Sequence, residues 1–433
     1  MQQQNNNTLN RSIAPPYTDA TALELQLPPC NQFTLDNGVP VYAINAGTQE
    51  VMSIEWVFAA GNWYDTQPLV AATTNFLLKN GTRNKTAFDI NEHFEYYGAF
   101  LNRSCFNETA TISLHTPVKH LPHLLPVVHE MLTEATLPQN ELDIYRQNSK
   151  QRLSVNLKKC DFVAGRLIDA YVFGEKHPYG VYSRFEDYDA LEQSTLAAYY
   201  DRYYRNGHCM LFVAGKLPAN IEQQLNQWFG QLPLNRQPLP DVQHVFTPAA
   251  EKKYRIINDP NGVQGAIRMA RPFPNRHHPD FTKVQVLNAL FGGFFGSRLM
   301  SNIREDKGYT YGIHSYIVNH IHDTAWMIST EAGRDVCEAT LQEVYYEMEQ
   351  LRNEPVNEEE LQLVRNYLMG GTLGSLDGPF QLIARWKNLV LNNLDESYFY
   401  RSVNDIRTIT PEQLQELANK YLQPDAFYEL VVV

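Results

Sequence analysis

Residues 291–316 read FGGFFGSRLMSNIREDKGYTYGIHSY, and their passage from turn to helix to strand sets the reading of the whole chain. Gly292, Gly293 and Gly296 make a glycine-rich turn, where positive φ and close backbone approach are cheap. Ser297 is placed to cap a short helix over Arg298 to Glu305, and Leu299 and Ile303, four apart, give that helix one buried side. Lys307 and Gly308 stop it. Tyr309, Tyr311 and Ile313 then alternate with Thr310, Gly312 and His314, the period-2 pattern of a strand. Arg304 leaves the helix and Tyr311 leaves the strand close enough to aim at one point.

The rest of the chain supplies the setting. Its 433 residues exceed what one core usually serves, so two domains are expected. With 43% hydrophobic and 19% charged residues the composition is that of a globular protein, and a net charge of −12 argues against non-specific nucleic-acid binding, which needs a basic face, while suiting basic peptides. Five scattered cysteines with no C-x-x-C spacing read as reduced thiols. Met1 to Asn10 is Gln/Asn-rich, with neither a basic nor an apolar leader region. No apolar run approaches the ~18 residues of a membrane span. A cytoplasmic chain is the expectation, or a periplasmic one if a leader has been removed.

Residues 1–29 are polar and read as a flexible arm, with Ala22 to Leu27 able to add an edge strand. Asp36-Asn37-Gly38 between two apolar runs is a hairpin signal. Thr86 with Asp89 opens a helix, and one long helical stretch runs from Glu141 to about Phe173. Four prolines, Pro233, Pro238, Pro240 and Pro248, break any regular element and mark a linker over 233–250. The two halves end alike, 199–214 (YYDRYYRNGHCMLFVA) against 416–432 (ELANKYLQPDAFYELVV), each a helix, a short turn and a terminal strand. Residues 30–232 and 251–433 are therefore two copies of one α+β unit, a mixed sheet with helices on one face.

The 291–316 pattern, a Gly-rich turn, S-R-L, and an Arg followed seven residues later by a Tyr, resembles the C-terminal half of insulinase/pitrilysin-type zinc peptidases, which include mitochondrial processing peptidase and its two-subunit bacterial relatives. The resemblance runs from about Phe33 to Val433. It implies two tandem α/β-roll domains forming half of a clamshell. It also implies that Arg304 and Tyr311 are catalytic groups reaching a zinc site on another half or subunit, and that Gly292, Gly293, Ser297 and Arg298 bind substrate. Active members of the family carry H-x-x-E-H on a first-half helix, two His ligands four apart with a Glu as base. Aligned by Pro68 before it and Gly81-Thr82 after it, those positions are Ala72, Asn75 and Phe76, and the third ligand falls near Leu153, with no carboxylate between Asp143 and Asp161.

No other cluster restores a metal site. His129 and Glu134 lie off one helical face, His120 and His123 flank a proline, and His277-His278 sits in a polar loop. His320-Ile321-His322-Asp323 is a turn that could hold a surface ion, and each of these reads better as a solvated or core histidine. His177 in His-Pro-Tyr-Gly reads as structural. The resemblance thus implies a chain with no metal or cofactor of its own, paired as a heterodimer with a homologous zinc-bearing subunit, or a homodimer when alone, and acting on peptides. The alternative is a structural homologue like the core subunits of the respiratory cytochrome bc complex.

Overall fold

The computed structural model describes residues 19–433. The first half runs β1 (Asn31–Thr34), β2 (Pro40–Asn45), β3 (Val51–Phe58), α1 (Val70–Leu77), α2 (Ala87–Tyr96), β4 (Phe100–Cys105), β5 (Ala110–Pro117), α3 (Leu121–Glu134), α4 (Gln139–Asn156), α5 (Cys160–Phe173), α6 (Phe185–Asp189), α7 (Gln193–Tyr200), β6 (Cys209–Gly215) and α8 (Ile221–Phe229). The second runs β7 (Lys253–Ile256), β8 (Gln264–Phe273), α9 (Phe281–Asn288), β9 (Thr310–Asn319), β10 (Thr324–Gly333), α10 (Cys337–Asn353), α11 (Glu358–Gly374), α12 (Pro379–Leu391), α13 (Glu396–Thr408), α14 (Pro411–Tyr421) and β11 (Tyr428–Val432).

The first sheet is ordered β1-β2-β6-β3-β5-β4 and the second β7-β11-β8-β10-β9. Set aside the edge strand β1, and the two orders are the same, with β2 matching β7, β3 matching β8 and β6 matching β11. In both sheets one pair is parallel, β2 with β6 and β7 with β11, and the others are antiparallel. A coincidence of order and direction over five strands is the mark of a duplicated unit. Local signals support it: Gly38 sits at φ +88 in the β1–β2 turn, and Thr86 and Asp89 form a reciprocal capping box on α2. The long helical stretch is broken between Asn156 and Cys160, where Lys159 is extended.

Within each unit the local helices cover one sheet face, and the other face is covered by a helix from the opposite half. Helix α5 lies on β8 and β11, and α12 lies on β6 and β2. Strand β3 shows why the sequence permits this, since Ile54, Trp56 and Phe58 pack with the first core while Val57 joins the second. On β8 the sides are exchanged, with Ala266 and Ala270 in the first core and Ile267 and Met269 in the second. Each crossing carries one ion pair in the middle of its strand. Glu55 on β3 meets Lys387 on α12 at 2.7 Å, and Arg268 on β8 meets Asp161 on α5, so the polarity is reversed between the repeats.

Two connecting segments are pinned down. Residues 1–18 of the expected arm lie outside the described residues. Ala22 to Leu27 does not add a strand; instead Leu25 and Leu27 are buried in the second core, and Trp386 donates to the Pro28 carbonyl at 2.9 Å. Residues 19–29 are thus a packed strap, because a leucine at every second position gives the segment an apolar side to bury. The proline-rich linker has no regular element, yet Ala249 N–H bonds Tyr171 O at 2.8 Å and Thr247 passes so close to Gly174 that a Cβ there would lie 2.7 Å from its carbonyl oxygen. Among the described residues no helix is long and apolar enough to cross a membrane.

The turn between β9 and β10 keeps His322 exposed on its outer side, but its rings are engaged by the first half rather than left for a surface ion. It plugs the seam between the halves. His322 stacks on Trp63 at 4.0 Å, His320 stacks on Tyr179 at 4.0 Å, and Glu108 accepts the Ile321 N–H at 3.0 Å. His177, 2% exposed, lies beneath them with its Nε2 3.9 Å from Asp323. These histidines are packing groups.

Candidate functional site

Residues 289–311 form the more unusual of two local constructions. Ala289–Gly293 and Met300–Asp306 are both wide π-type turns, a geometry that costs backbone energy and concentrates at functional sites. Leu299 and Ile303 are fully buried, as their spacing requires. Gly308, at φ +67, is the left-handed stop. Positive φ is absent from Gly292, Gly293 and Gly296, so the expectation for that turn is half met, and its glycines serve close approach instead. A Cβ on Gly292 would lie 2.7 Å from Ser315 Cβ and 2.8 Å from Leu299 Cδ1. Gly292→Ala is therefore expected to destabilise the chain by about 1–3 kcal/mol. Gly296→Ala, which meets only the turnable Phe294 ring, should cost much less; urea midpoints of the two variants check this.

Ser297 does not cap the helix. It is buried and its hydroxyl has no partner among the described residues, while the Arg298 guanidinium forks onto Glu360 at 2.8 and 2.9 Å. Gly292 is buried as well, while Gly293 borders one cavity of the second half and Arg298 another. Gly292, Ser297 and Arg298 hold the turn in shape.

Arg304 and Tyr311 are brought together. The Arg304 guanidinium lies 4.5 Å over the Phe295 ring and 5.2 Å over that of Tyr311, and among the described residues it makes no ion pair or hydrogen bond. Tyr311 is 91% exposed. Strict alternation would place it on the buried face with Ile313. The ladder shows why it is not there: Thr330 pairs with Ile313 and Ala332 with Thr310, so β9 carries one extra residue across this step. Such a bulge reverses the side-chain direction beyond it. Thr310 and Thr330 fasten it, their hydroxyls bonded to each other at 2.8 Å and lying 3.0 and 2.9 Å from Gly312 O. Sequence alternation alone could not find this, although the adjacent Thr310 and Gly312 are residues that bulges favour.

The second construction is a cavity of about 500 Å³ in the first half, and Ala72, Asn75, Phe76 and Leu153 all line it. The four positions that the resemblance assigns to metal chemistry thus converge on one place. Their side chains are a methyl, a carboxamide, a phenyl and an isobutyl group. Asn75 is turned away, donating to Thr111 O at 3.3 Å and to the Tyr204 hydroxyl at 3.1 Å. Arg103 stands where a cation would be drawn, 5.1 Å over the Phe76 ring, donating to Asn80 Oδ1 at 3.2 Å and to Phe76 O. Burial pulls its pKa down to about 10, so it stays a cation near neutrality. The residues here do not fit a zinc ion. Among the described residues no group of three or more His, Cys, Asp or Glu is placed to hold a metal. Arg304 and Tyr311 do not line this cavity.

Residues 190–368 match the family model described as the peptidase M16 inactive domain. An uncharacterized zinc protease of Bacillus subtilis, YmxG, is 21% identical over 93% of this chain and 97% of its own length. A probable inactive metalloprotease of the same organism, YmfF, is 20% identical over 55% of each chain. Among solved structures, an M16 inactive domain from Pseudomonas fluorescens has a TM-score of 0.83 at 23% identity, covering 93% of this chain and 98% of that one. The periplasmic protease PqqL of Escherichia coli superposes with a TM-score of 0.76 at 13% identity, covering 99% of this chain but 49% of its own. Fold, turn and relatives point the same way: the chain is similar to M16, insulinase/pitrilysin-type, peptidases, in sequence at low identity and in fold over most of its length.

Proposed function

We propose that this chain is the zinc-free partner of a homologous zinc-bearing subunit, and that it contributes Arg304 and Tyr311 to peptide hydrolysis by the pair. The observation that carries this reading is the free Arg304 guanidinium, held between two rings beside an exposed phenol, in a chain whose own equivalent of the metal site is lined by Ala72, Asn75, Phe76 and Leu153. A scaffold has no use for an unpaired cation and a bulge that turns a tyrosine outward. The likeness to one half of PqqL supports a shape that needs a second half to close. The partner's zinc supplies the hydrolytic chemistry; Arg304 and Tyr311 donate hydrogen bonds to the scissile carbonyl oxygen as it gains negative charge.

Purified alone, the chain should hold no stoichiometric zinc and leave unstructured peptides intact. Mixed with a homologous H-x-x-E-H subunit, it should restore cleavage that neither shows alone. Metal analysis and a quenched-peptide assay check both. One equivalent of tight zinc with chelator-sensitive cleavage by the lone chain would refute the proposal, and a complex that forms but never cleaves would favour a purely structural role.

A further inference from the structure

A cavity of about 610 Å³ in the second half, between α9, α11, α12, α13 and β9, has no part in that reading. Two arginines line it, Arg276 and Arg385, and among the described residues neither pairs with a carboxylate. Arg276 donates to Asn388 Oδ1 and Arg385 to Ser375 Oγ, both neutral acceptors. The Nε atoms of both are buried without a partner, and so is the hydroxyl of Tyr398, a lining residue only 9% exposed. The Asp405 carboxylate below accepts from Thr282 and contacts neither arginine. Burial lowers the pKa of each arginine and raises that of Tyr398. Two half-buried cations thus share one cavity without a counter-ion, an arrangement that favours an anionic ligand because an uncompensated buried charge is costly.

The cavity does not end blindly. Arg276, Asn319, Ala384 and Asn388 also line a second cavity of about 510 Å³ on the seam between the halves, and Cys105 is common to that one and the first-half cavity. The three adjoin through these shared residues, and the second-half cavity alone, at about 610 Å³, far exceeds an inorganic anion and lies in the range of sites that enclose larger ligands. We infer that the second-half cavity binds a carboxylate of an extended peptide, an Asp or Glu side chain or the C-terminus, between Arg276 and Arg385, with Tyr398 donating a further hydrogen bond. The acidity of the whole chain favours basic peptides; this cavity adds a local requirement for one acidic group. The inference does not depend on the proposed pairing, since binding is a property of this chain alone.

The test is fluorescence anisotropy of the full chain at low salt, with a labelled octapeptide containing three Glu and its Gln counterpart. The Glu peptide should bind about tenfold more tightly, as charge-assisted hydrogen bonds to guanidinium predict. The preference should disappear in R276Q/R385Q, with folding checked by circular dichroism, and Tyr398→Phe should weaken it by about threefold. If the double variant does not fold, R276Q and R385Q singly decide, each expected to lose about threefold or more. Equal affinity for the two peptides, or a folded double variant that keeps the preference, would overturn the inference. So would an Arg276- and Arg385-dependent gain in Tm with inorganic phosphate alone, with no Glu preference, which would mark a free-anion site.

Discussion

Arg304→Ala or Tyr311→Phe is expected to lower kcat of the mixed complex by about 10²–10³ while the subunits still associate. Neither group holds the fold. Tyr311 is 91% exposed, and among the described residues Arg304 makes no hydrogen bond or ion pair and lies over the faces of Phe295 and Tyr311, so its removal leaves no polar partner unpaired. Their energy is realised when the substrate oxygen becomes an oxyanion, so the loss falls on turnover more than on KM. Arg304→Lys should not recover it, because an ammonium lacks the planar fork whose direction the two rings fix. The double variant should be little worse than the worse single one, since donors to one oxyanion act as a unit. Steady-state kinetics on the mixed subunits, with sizing to confirm association, measures this. Near-full turnover by both single variants in an intact complex would mean that the pair is structural.

The second large effect concerns acid. His320 lies in the seam, stacked on Tyr179, and the Asn107 carboxamide donates to its Nδ1 at 3.1 Å, holding that nitrogen as an acceptor. Burial, with His177 beside it, lowers its pKa to about 4 from an ordinary 6.5. The unfolded chain therefore binds more protons at this site between those values. The stabilisation is complete above pH 6.5 and is lost as pH falls toward 4. By linkage it is worth about 3 kcal/mol, an order-of-magnitude figure. His177, also lowered by burial, pulls in the same direction. Urea unfolding followed by tryptophan fluorescence should show wild type losing about 2–3 kcal/mol more than His320→Asn between pH 7 and 4.5. Parallel pH profiles would show that the seam does not titrate.

How far these features were legible depended on range. The short-range signals, Asn37-Gly38, Thr86 with Asp89, and Leu299 with Ile303, were read correctly because each rests on neighbours in the chain. The repeat was visible in the matching endings near 214 and 432, and the first-half positions Ala72, Asn75, Phe76 and Leu153 meet in one cavity as their flanks implied. Features set by distant partners were hidden. Tyr311 faces outward because of pairing with β10, and Ser297 lost its capping role to a widened turn. Leu25 and Leu27 look like part of an arm in the sequence because most of the core they join is built by residues more than two hundred positions away. Nothing in the spacing of Arg276 and Arg385 suggests that the loop before α9 and the middle of α12 bring them to one cavity.

The reciprocal crossing of α5 and α12 sets the mechanics of the molecule. A protein whose repeats merely abut can flex at the linker, but here any rotation between sheets would have to lift two helices from their seats and break the Glu55–Lys387 and Arg268–Asp161 pairs together. The chain is one lever rather than two. In the proposed pair, motion that admits or releases a ligand would then lie between the subunits, and the distance between Tyr311 and the cavity near Arg276 would stay fixed during it.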